Sequence, residues 1–530
     1  MSNGALDGQS IKRFNTTAVW VIIFTSIFIV LANIAIPNDT FYTIKIGETI
    51  IQQGMPEFDI FTFHENLPYT YPHWLYDVVI YLIYQAGGFY GLSALTFALT
   101  LSLGLTIYFS FVKLYGNQFV SLLFVIVILY MFSNGALVPR AQSITYLLFV
   151  LEILCMELYL RQGNKGYLVA LFAIAVLIAN VHAAVWPFFF VLFMPYIGEY
   201  VVARLMKLAN DPQGNARNDV YQKLVVVRND RVLLLIAVMF VCLFSGLCTA
   251  IGFTPYTYLI ETYQGLPVKY VFEHRPLTPA VNPNFLIFCI CSFALFIFTP
   301  AKFRLNEFFL YGGMFVLSLM SVRQSMLFFL LGGYVVCRMA TEFFVTTNLE
   351  RVNQYIVGMG KMKGRVITVV LVSLLMLPKV SEPEFIDPKE YPVGATEYLL
   401  NNTDITQIRP YASYGTGSYL LFKGIKVFID SRADLYTKPF NKTREIFGDS
   451  AAVTYMSGYY DDIFAKYCMT HIILEPKESL NLIISHDQGY KKVYADENNV
   501  IYERLASLNN QCTPHNRPLP HEVADQEQSQ

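Results

Sequence analysis

Apolar positions in this chain come in long unbroken runs, with short polar breaks between them. Ala18 to Ile36, Val232 to Thr254 and Asn284 to Pro300 contain no Asp, Glu, Lys or Arg. Each is about as long as a helix needs to cross a hydrocarbon core of ~30 Å. Backbone polar groups in lipid must be satisfied within their own segment, so such runs predict helices. On this basis spans are expected at 18–36, 89–112, 118–134, 142–160, 167–181, 183–200, 232–254, 284–300, 306–321, 324–340 and 366–379.

Basic residues order these spans. With the N-terminus inside, one side collects Lys12, Arg13, Lys113, Arg161, Lys165, Arg204, Lys207 and the Arg217–Arg231 group. Lys302, Arg304, Arg338, Arg351, Lys361, Lys363 and Arg365 join them. The other side holds Lys45, Arg140, Lys269, Arg275 and Arg323 before the tail. This bias predicts about eleven spans, a cytoplasmic N-terminus and an extracytoplasmic C-terminal domain, and it requires 167–200 to cross twice.

The polar breaks differ in character. Residues 1–17 read as a cytoplasmic N-terminus, 18–380 as the transmembrane domain and 381–505 as a soluble α/β domain. The Gln- and Pro-rich 506–530 read as a disordered tail. Within the membrane domain, 37–88 is a long outer loop. Thr40, Thr43 and Gly47 share a helical face beside Phe41, Ile44 and Ile51, which predicts a helix lying along the interface. A second such helix runs from His73 to Gln85 and stops at Gly87–Gly88. In the tail domain, strands are expected at Lys426–Asp430, His471–Leu474, Leu482–Ser485 and Asn499–Glu503. Helices are expected near Gly394–Asn401 and Tyr459–Tyr467.

Composition sharpens the class. The chain is 55 % hydrophobic and 15 % charged with a net charge of −1. No global field suggests nucleic acid. Six of its 8 cysteines lie in apolar runs, where they act as small hydrophobes. Cys468 and Cys512 both fall in the tail domain, and a disulfide between them is compatible with an oxidising side. No CxxC or His/Cys cluster suggests a zinc site. The first apolar stretch is long enough to span and no small-residue cleavage pattern follows it, so no cleavable signal peptide is expected. The fold class is therefore mainly α: a polytopic membrane helical bundle with a small extracytoplasmic α/β domain.

Ionisable groups at membrane level are the candidates for chemistry, because such positions are costly. Asp39 directly follows the first span. It caps the interfacial helix, presents a carboxylate able to take a proton from an acceptor hydroxyl, or does both. Arg140 and Arg323 sit at outer span ends; snorkelling explains either, and so does a phosphate site matched to the guanidinium fork. Arg140 could instead pair with Asp39 or Asp59. Asn180 and His182 interrupt an apolar helix pair, where bonding between helices is the simpler reading. His64, His73 and Asp59 populate the first outer loop, and Glu273 and His274 another. Arg432 and Asp434 of the tail are expected to form a structural ion pair.

The order of these features resembles a known family. An Asp after the first span, an interfacial helix, His73 opening a helix that runs through Gly87–Gly88, and Arg140 at the head of the fourth span are similar to the GT-C superfamily of membrane glycosyltransferases. That superfamily includes the protein O-mannosyltransferases, the aminoarabinose transferases and the oligosaccharyltransferase catalytic subunits. Tyr71–Leu75 (YPHWL) stands where bacterial members often carry a His-Pro-Pro-Leu-like stretch. A group of bacterial GT-C proteins looks closer still, sharing Asp39–Gly47, Pro56–Asp59, Trp74–Leu75, Asn180–His182 and Phe428–Asp434 (FIDSRAD).

The resemblance implies transfer of a sugar from a polyprenyl-phosphate carrier to a cell-envelope acceptor at the outer face of the cytoplasmic membrane. Asp39 would be the base, with Asp59 as a second acid. Arg323 and Arg140 would hold the carrier phosphate, and His73, His182, Glu273 and His274 would face the cavity or acceptor. Some relatives use a divalent cation, but here Asn38–Asp39 replaces the usual acidic pair. A non-enzymatic polyprenyl-lipid carrier or flippase of the same architecture is the competing expectation. A secondary transporter fits less well, since no internal repeat is evident.

Overall fold

A computed structural model describes residues 8–133, 135–208, 217–221, 223–278, 282–346, 384–456 and 460–505. In chain order the helices are α1 (Gly8–Ala32), α2 (Asn38–Gln53), α3 (Trp74–Tyr115), α4 (Gln118–Phe132), α5 (Ala141–Gln162), α6 (Gly166–Val181), α7 (Trp186–Val191) and α8 (Met194–Leu205). There follow α9 (Val232–Cys242), α10 (Thr254–Gln264), α11 (Pro267–Tyr270), α12 (Pro283–Phe298), α13 (Leu305–Met320), α14 (Ser325–Leu327), α15 (Gly333–Thr346), α16 (Val393–Asn402) and α17 (Gly417–Phe422).

The chain divides into two compact units. One comprises Met1–Ile34, Ala86–Leu259 and Val271–Pro383; the other comprises Ala35–Gln85, Ile260–Tyr270 and Glu384–Gln530. Among the described residues, 5 helical stretches are long and apolar enough to cross a membrane, and shorter apolar helices accompany them. The protein is thus a helical membrane protein. Ten of the expected spans coincide with helices; the eleventh, 366–379, lies outside the described residues.

Three spans are less regular than expected. Residues 183–200 break into a 3-10 turn, α7 and α8, with Pro187 and Pro195 each at the start of a helix, where a missing N–H costs nothing. After α9 the chain tightens into a 3-10 helix at Leu243–Leu247. Between α14 and α15 it widens into a π-helix at Phe328–Gly332. These departures arise from local backbone hydrogen bonding, to which average hydrophobicity is blind.

In the first unit α5 packs on α6, α13 on α8 and α1 on α4 around an aromatic core that includes Phe111, Phe132, Phe149, Phe189, Phe193 and Phe328. Strands β1 (Arg217–Tyr221), β2 (Leu224–Val227) and β3 (Phe303–Arg304) form a small sheet, antiparallel then parallel.

The second unit joins the first outer loop to the tail domain. Its sheet has the order β4 (Pro410–Tyr411), β5 (His471–Leu474), β7 (Val500–Arg504), β6 (Tyr490–Ala495), with β4 parallel to β5 and the other pairs antiparallel. α2 buries 8 of its 16 residues, with Phe41 among the rings of Tyr391, Tyr419 and Phe422 at 5.1, 5.4 and 5.3 Å. α2 also approaches α3 closely: a Cβ at Gly47 would lie 2.1 Å from the Asp77 carbonyl oxygen. The predicted stop at Gly87–Gly88 is an interruption of α3 at Gly88, whose φ of 59° suits glycine.

Two strand expectations in the tail are corrected. Leu482–Ser485 belongs to the helix Ser479–Ile484. Lys426–Asp430 joins neither sheet; Val427 makes an isolated bridge to Thr62. Cys468 has no disulfide partner among the described residues, and Cys512, with which a disulfide was compatible, lies outside them.

Candidate functional site

Asp39 is not the cap of α2. Pro37 occupies that place without a side-chain cap bond, and Asp39 lies inside the first helical turn, half-buried. A carboxylate there is favoured by the unpaired N–H groups of the helix start. Tyr42 follows at i+3, on the same face. Its hydroxyl stands 3.3 Å from Nε2 of His73, whose Nδ1 donates to Asp77 Oδ1 at 2.8 Å. Asp77 is fully buried and its Oδ2 accepts no hydrogen bond. The four side chains come from two helix beginnings: Asp39 and Tyr42 from α2, His73 and Asp77 from the start of α3.

This arrangement sets the state of His73. Burial favours the neutral ring, but the Asp77 charge and hydrogen bond, aided by Asp434 and Asp39, outweigh it and raise the imidazole above its ordinary value. Asp39 is therefore in electrostatic reach of an imidazole held by a buried carboxylate. Asp77 escaped the sequence reading, although its i+4 spacing from His73 at a helix start was the available signal.

Asp59 has a different occupation. Its Oδ1 receives Arg432 Nη1, and its Oδ2 accepts the N–H groups of Phe61 and Thr62 at 3.1 and 2.8 Å. Arg432 also donates to Asp430, through Nη2 at 2.6 Å, and Tyr436 donates to the same Asp430 oxygen at 2.7 Å. The guanidinium lies over the rings of Tyr69 and Phe61 at 5.1 and 5.5 Å. Arg432 thus pairs with Asp430 and Asp59, its short loop folding back on itself and on residues 59–62. Beside it, His64 Nε2–H donates to the Phe428 carbonyl at 2.7 Å. The FIDSRAD segment is the seat on which the first outer loop docks.

The first unit carries a separate cluster. Arg140 Nη1 donates to Glu273 Oε1 at 3.1 Å. Ser321 donates to the Glu273 carbonyl at 2.8 Å and Val322 N–H to Arg275 O at 2.9 Å, which fastens the 272–274 turn to the segment bearing Arg323. Burial raises the Glu273 carboxyl, but Arg323 and then Arg140 outweigh it and hold it below its ordinary value. His274 is lowered by burial and by Arg323. Arg140, Arg323, Glu273 and His274 are brought together with an excess of positive charge.

His182 lies elsewhere. Its Nδ1 meets Thr145 Oγ1 at 3.0 Å between α6 and α5, while Asn180 Nδ2 donates to Val176 and Cys248 carbonyls at 2.8 and 2.9 Å. Both serve bonding between helices, and His182 is buried. No three His, Cys, Asp or Glu side chains are grouped to hold a metal among the described residues. The divalent cation that the resemblance allows therefore finds no such donor set there.

The helical membrane unit and the mixed unit together define a GT-C-like fold. No family model and no curated protein sequence matches the chain. Solved structures do. The oligosaccharyltransferase AglB of Archaeoglobus fulgidus, in complex with an inhibitory peptide and a dolichol-phosphate, is similar with a TM-score of 0.56 at 10 % identity; 95 % of this chain and 75 % of that one are covered. The same enzyme tethered to an acceptor peptide gives 0.54 at 11 %, covering 92 % and 74 %. ArnT of Cupriavidus metallidurans bound to undecaprenyl phosphate gives 0.50 at 13 %, covering 95 % and 99 %. At such identities the likeness establishes the fold alone.

Proposed function

We infer that this protein is a membrane glycosyltransferase that moves a sugar from a polyprenyl-phosphate carrier to a cell-envelope acceptor at the outer face. The observation that carries this reading is Asp39 in the first turn of α2, in reach of the Tyr42–His73–Asp77 chain, on a fold whose solved examples were captured with dolichol-phosphate and undecaprenyl phosphate.

In this reading the acceptor hydroxyl attacks the anomeric carbon while the bond from that carbon to the carrier phosphate breaks. Asp39 takes the hydroxyl proton. Arg323 and Arg140 stabilise the departing phosphate as its charge develops, since guanidinium stays cationic when desolvated. Single in-line displacement predicts inversion at the anomeric carbon. Asp59, already engaged by Arg432, serves as an anchor of the outer loop rather than as a second acid. Glu273 restrains the arginine pair, and His182 has a packing role.

The test is incubation of the purified protein in nanodiscs with a panel of polyprenyl-phosphate sugars and envelope acceptors. Carrier-dependent transfer supports the assignment. Tight carrier binding without transfer to any acceptor favours the carrier or flippase alternative.

A further inference from the structure

α5 and α13 each connect two polar clusters. Arg140 precedes α5 and Arg323 follows α13, whereas Glu157 and Arg161 lie in the last turns of α5 and Asn306 and Glu307 in the first turn of α13. From Arg140 to Glu157 the rise is about 25 Å along the helix, close to the thickness of a hydrocarbon core. The second cluster therefore sits at the opposite headgroup level from the arginine pair, and the proposed transfer makes no use of it.

That end contains a small open cavity of about 20 Å³, room for one group the size of a water, lined by Tyr115, Glu157, Arg161, Tyr196, Asn306 and Glu307 among others. Its charges are partly matched. Tyr196 donates to Glu157 Oε1 at 3.0 Å and Arg161 approaches Glu157 Oε2 at 3.3 Å. Arg304 N–H and Arg338 Nη2 reach Glu307 Oε2 at 2.9 and 2.6 Å. Among the lining residues Asn306 is the exception: the residue is 3 % exposed, and its Oδ1 is buried with no hydrogen-bond partner. Burying an acceptor without a donor is costly, so such an atom marks a place for a missing donor.

We propose that this cavity binds a primary ammonium group, presented by a zwitterionic phosphoethanolamine lipid headgroup. The ammonium offers three donors and no acceptor. Asn306 Oδ1 takes one, and the carboxylates of Glu157 and Glu307 keep lone pairs for the others. Both carboxylates are well covered, at 13 % and 14 % side-chain exposure, whereas Arg161 is 40 % exposed at the rim. The rim arginine suits the headgroup phosphate, one short linker away from the ammonium. A quaternary ammonium has no N–H to give and leaves Asn306 unsatisfied.

Delipidated full-length protein is titrated with dioleoyl-phosphatidylethanolamine and, separately, dioleoyl-phosphatidylcholine, reading the midpoint of thermal unfolding. The ethanolamine lipid raises the midpoint by several degrees more than the choline lipid. Asn306→Leu abolishes that difference while raising the lipid-free midpoint, because the orphan acceptor is gone; Asn306→Asp retains the difference. Ethylammonium against tetramethylammonium, without lipid, separates the sources. Protection by ethylammonium equal to that of the lipid assigns the site to a free amine, and protection by the lipid alone assigns it to a headgroup. Equal shifts from both lipids with no preference for ethylammonium, or a lipid difference that survives Asn306→Leu, overturn the proposal. Should Asn306→Leu fail to fold, the two wild-type comparisons decide.

Discussion

His73 and Asp77 stand one helical turn apart at the start of α3, joined by a 2.8 Å contact between the imidazole Nδ1 and a carboxylate that is fully buried. The pair faces Tyr42 of α2, so the ring nitrogen left free of Asp77 points toward the helix that bears Asp39. A fixed imidazole orientation is the minimum requirement for passing or polarising a proton, and Asp77 supplies it.

The raised pKa of His73 has a pH signature. A folded value above the unfolded one means that the protonated ring is favoured in the folded state. The resulting stability is present in full below the unfolded value, about 6.5, and is lost as pH rises through the folded value. Asp77→Asn should lower the His73 pKa, read by NMR of the labelled imidazole. It should also shrink the stability gap to wild type as pH increases. An unchanged His73 titration in Asp77→Asn contradicts the pairing.

Asp59 and Arg432 define a structural prediction. Both side chains are about 1 % exposed, and Arg432 has a second carboxylate partner in Asp430. Breaking such a buried pair costs about 3–5 kcal/mol, because the remaining charge is left uncompensated. Asp59→Ala should therefore lower the unfolding midpoint sharply. Full stability with lost transfer would instead make Asp59 a chemical residue.

Gly47 is a packing prediction. A Cβ there meets the backbone of Asp77, a neighbour that cannot rotate away. Gly47→Ala should destabilise by about 1–3 kcal/mol, as overpacking does, and it should displace the start of α3 that carries His73. Denaturant unfolding measures the first effect and the His73 imidazole shifts report the second.

The arginine pair is a binding prediction. Arg323→Lys keeps the charge and loses the fork; Arg323→Ala loses both. Charge-assisted hydrogen bonds contribute about 1.5–3 kcal/mol each, so the donor KM should rise roughly 10-fold or more for Ala and less for Lys. Glu273→Gln leaves Arg140 and Arg323 less compensated. Because the Glu273 carboxyl is held low, its restraint on the pair persists above about pH 4.5 and fades only as pH falls through the lower folded value. Donor binding that is indifferent to Arg323 removes it from the phosphate site.

The membrane helices were legible because apolar runs of spanning length admit few other structures. The helix at 38–53 and the strands at 471–474 and 500–504 were legible from local pattern. Where reading failed, the deciding partner was distant in sequence or the run was short. Lys426–Asp430 looks like a strand, yet its Val427 pairs across to Phe61–Phe63, more than 350 positions earlier. Leu482–Ser485 is apolar over too few residues for its period to separate strand from helix. That Arg432 also holds Asp59 could not be read locally, because the two lie more than 350 positions apart. Asp77 was missed inside an apolar helix sequence: its i+4 spacing from His73 signals a pair, but not that the pair is buried.

The central claim is that Asp39 takes the acceptor proton. The decisive measurement is the rate of sugar transfer from a polyprenyl-phosphate donor by wild type, Asp39→Asn and Asp39→Glu at saturating donor, with unfolding midpoints recorded alongside. Asp39→Asn should lose transfer by a factor of about 100 or more, the scale of a missing general base. It should do so at unchanged midpoint and donor affinity, and Asp39→Glu should recover part of the rate. Transfer by Asp39→Asn at the wild-type rate contradicts the account.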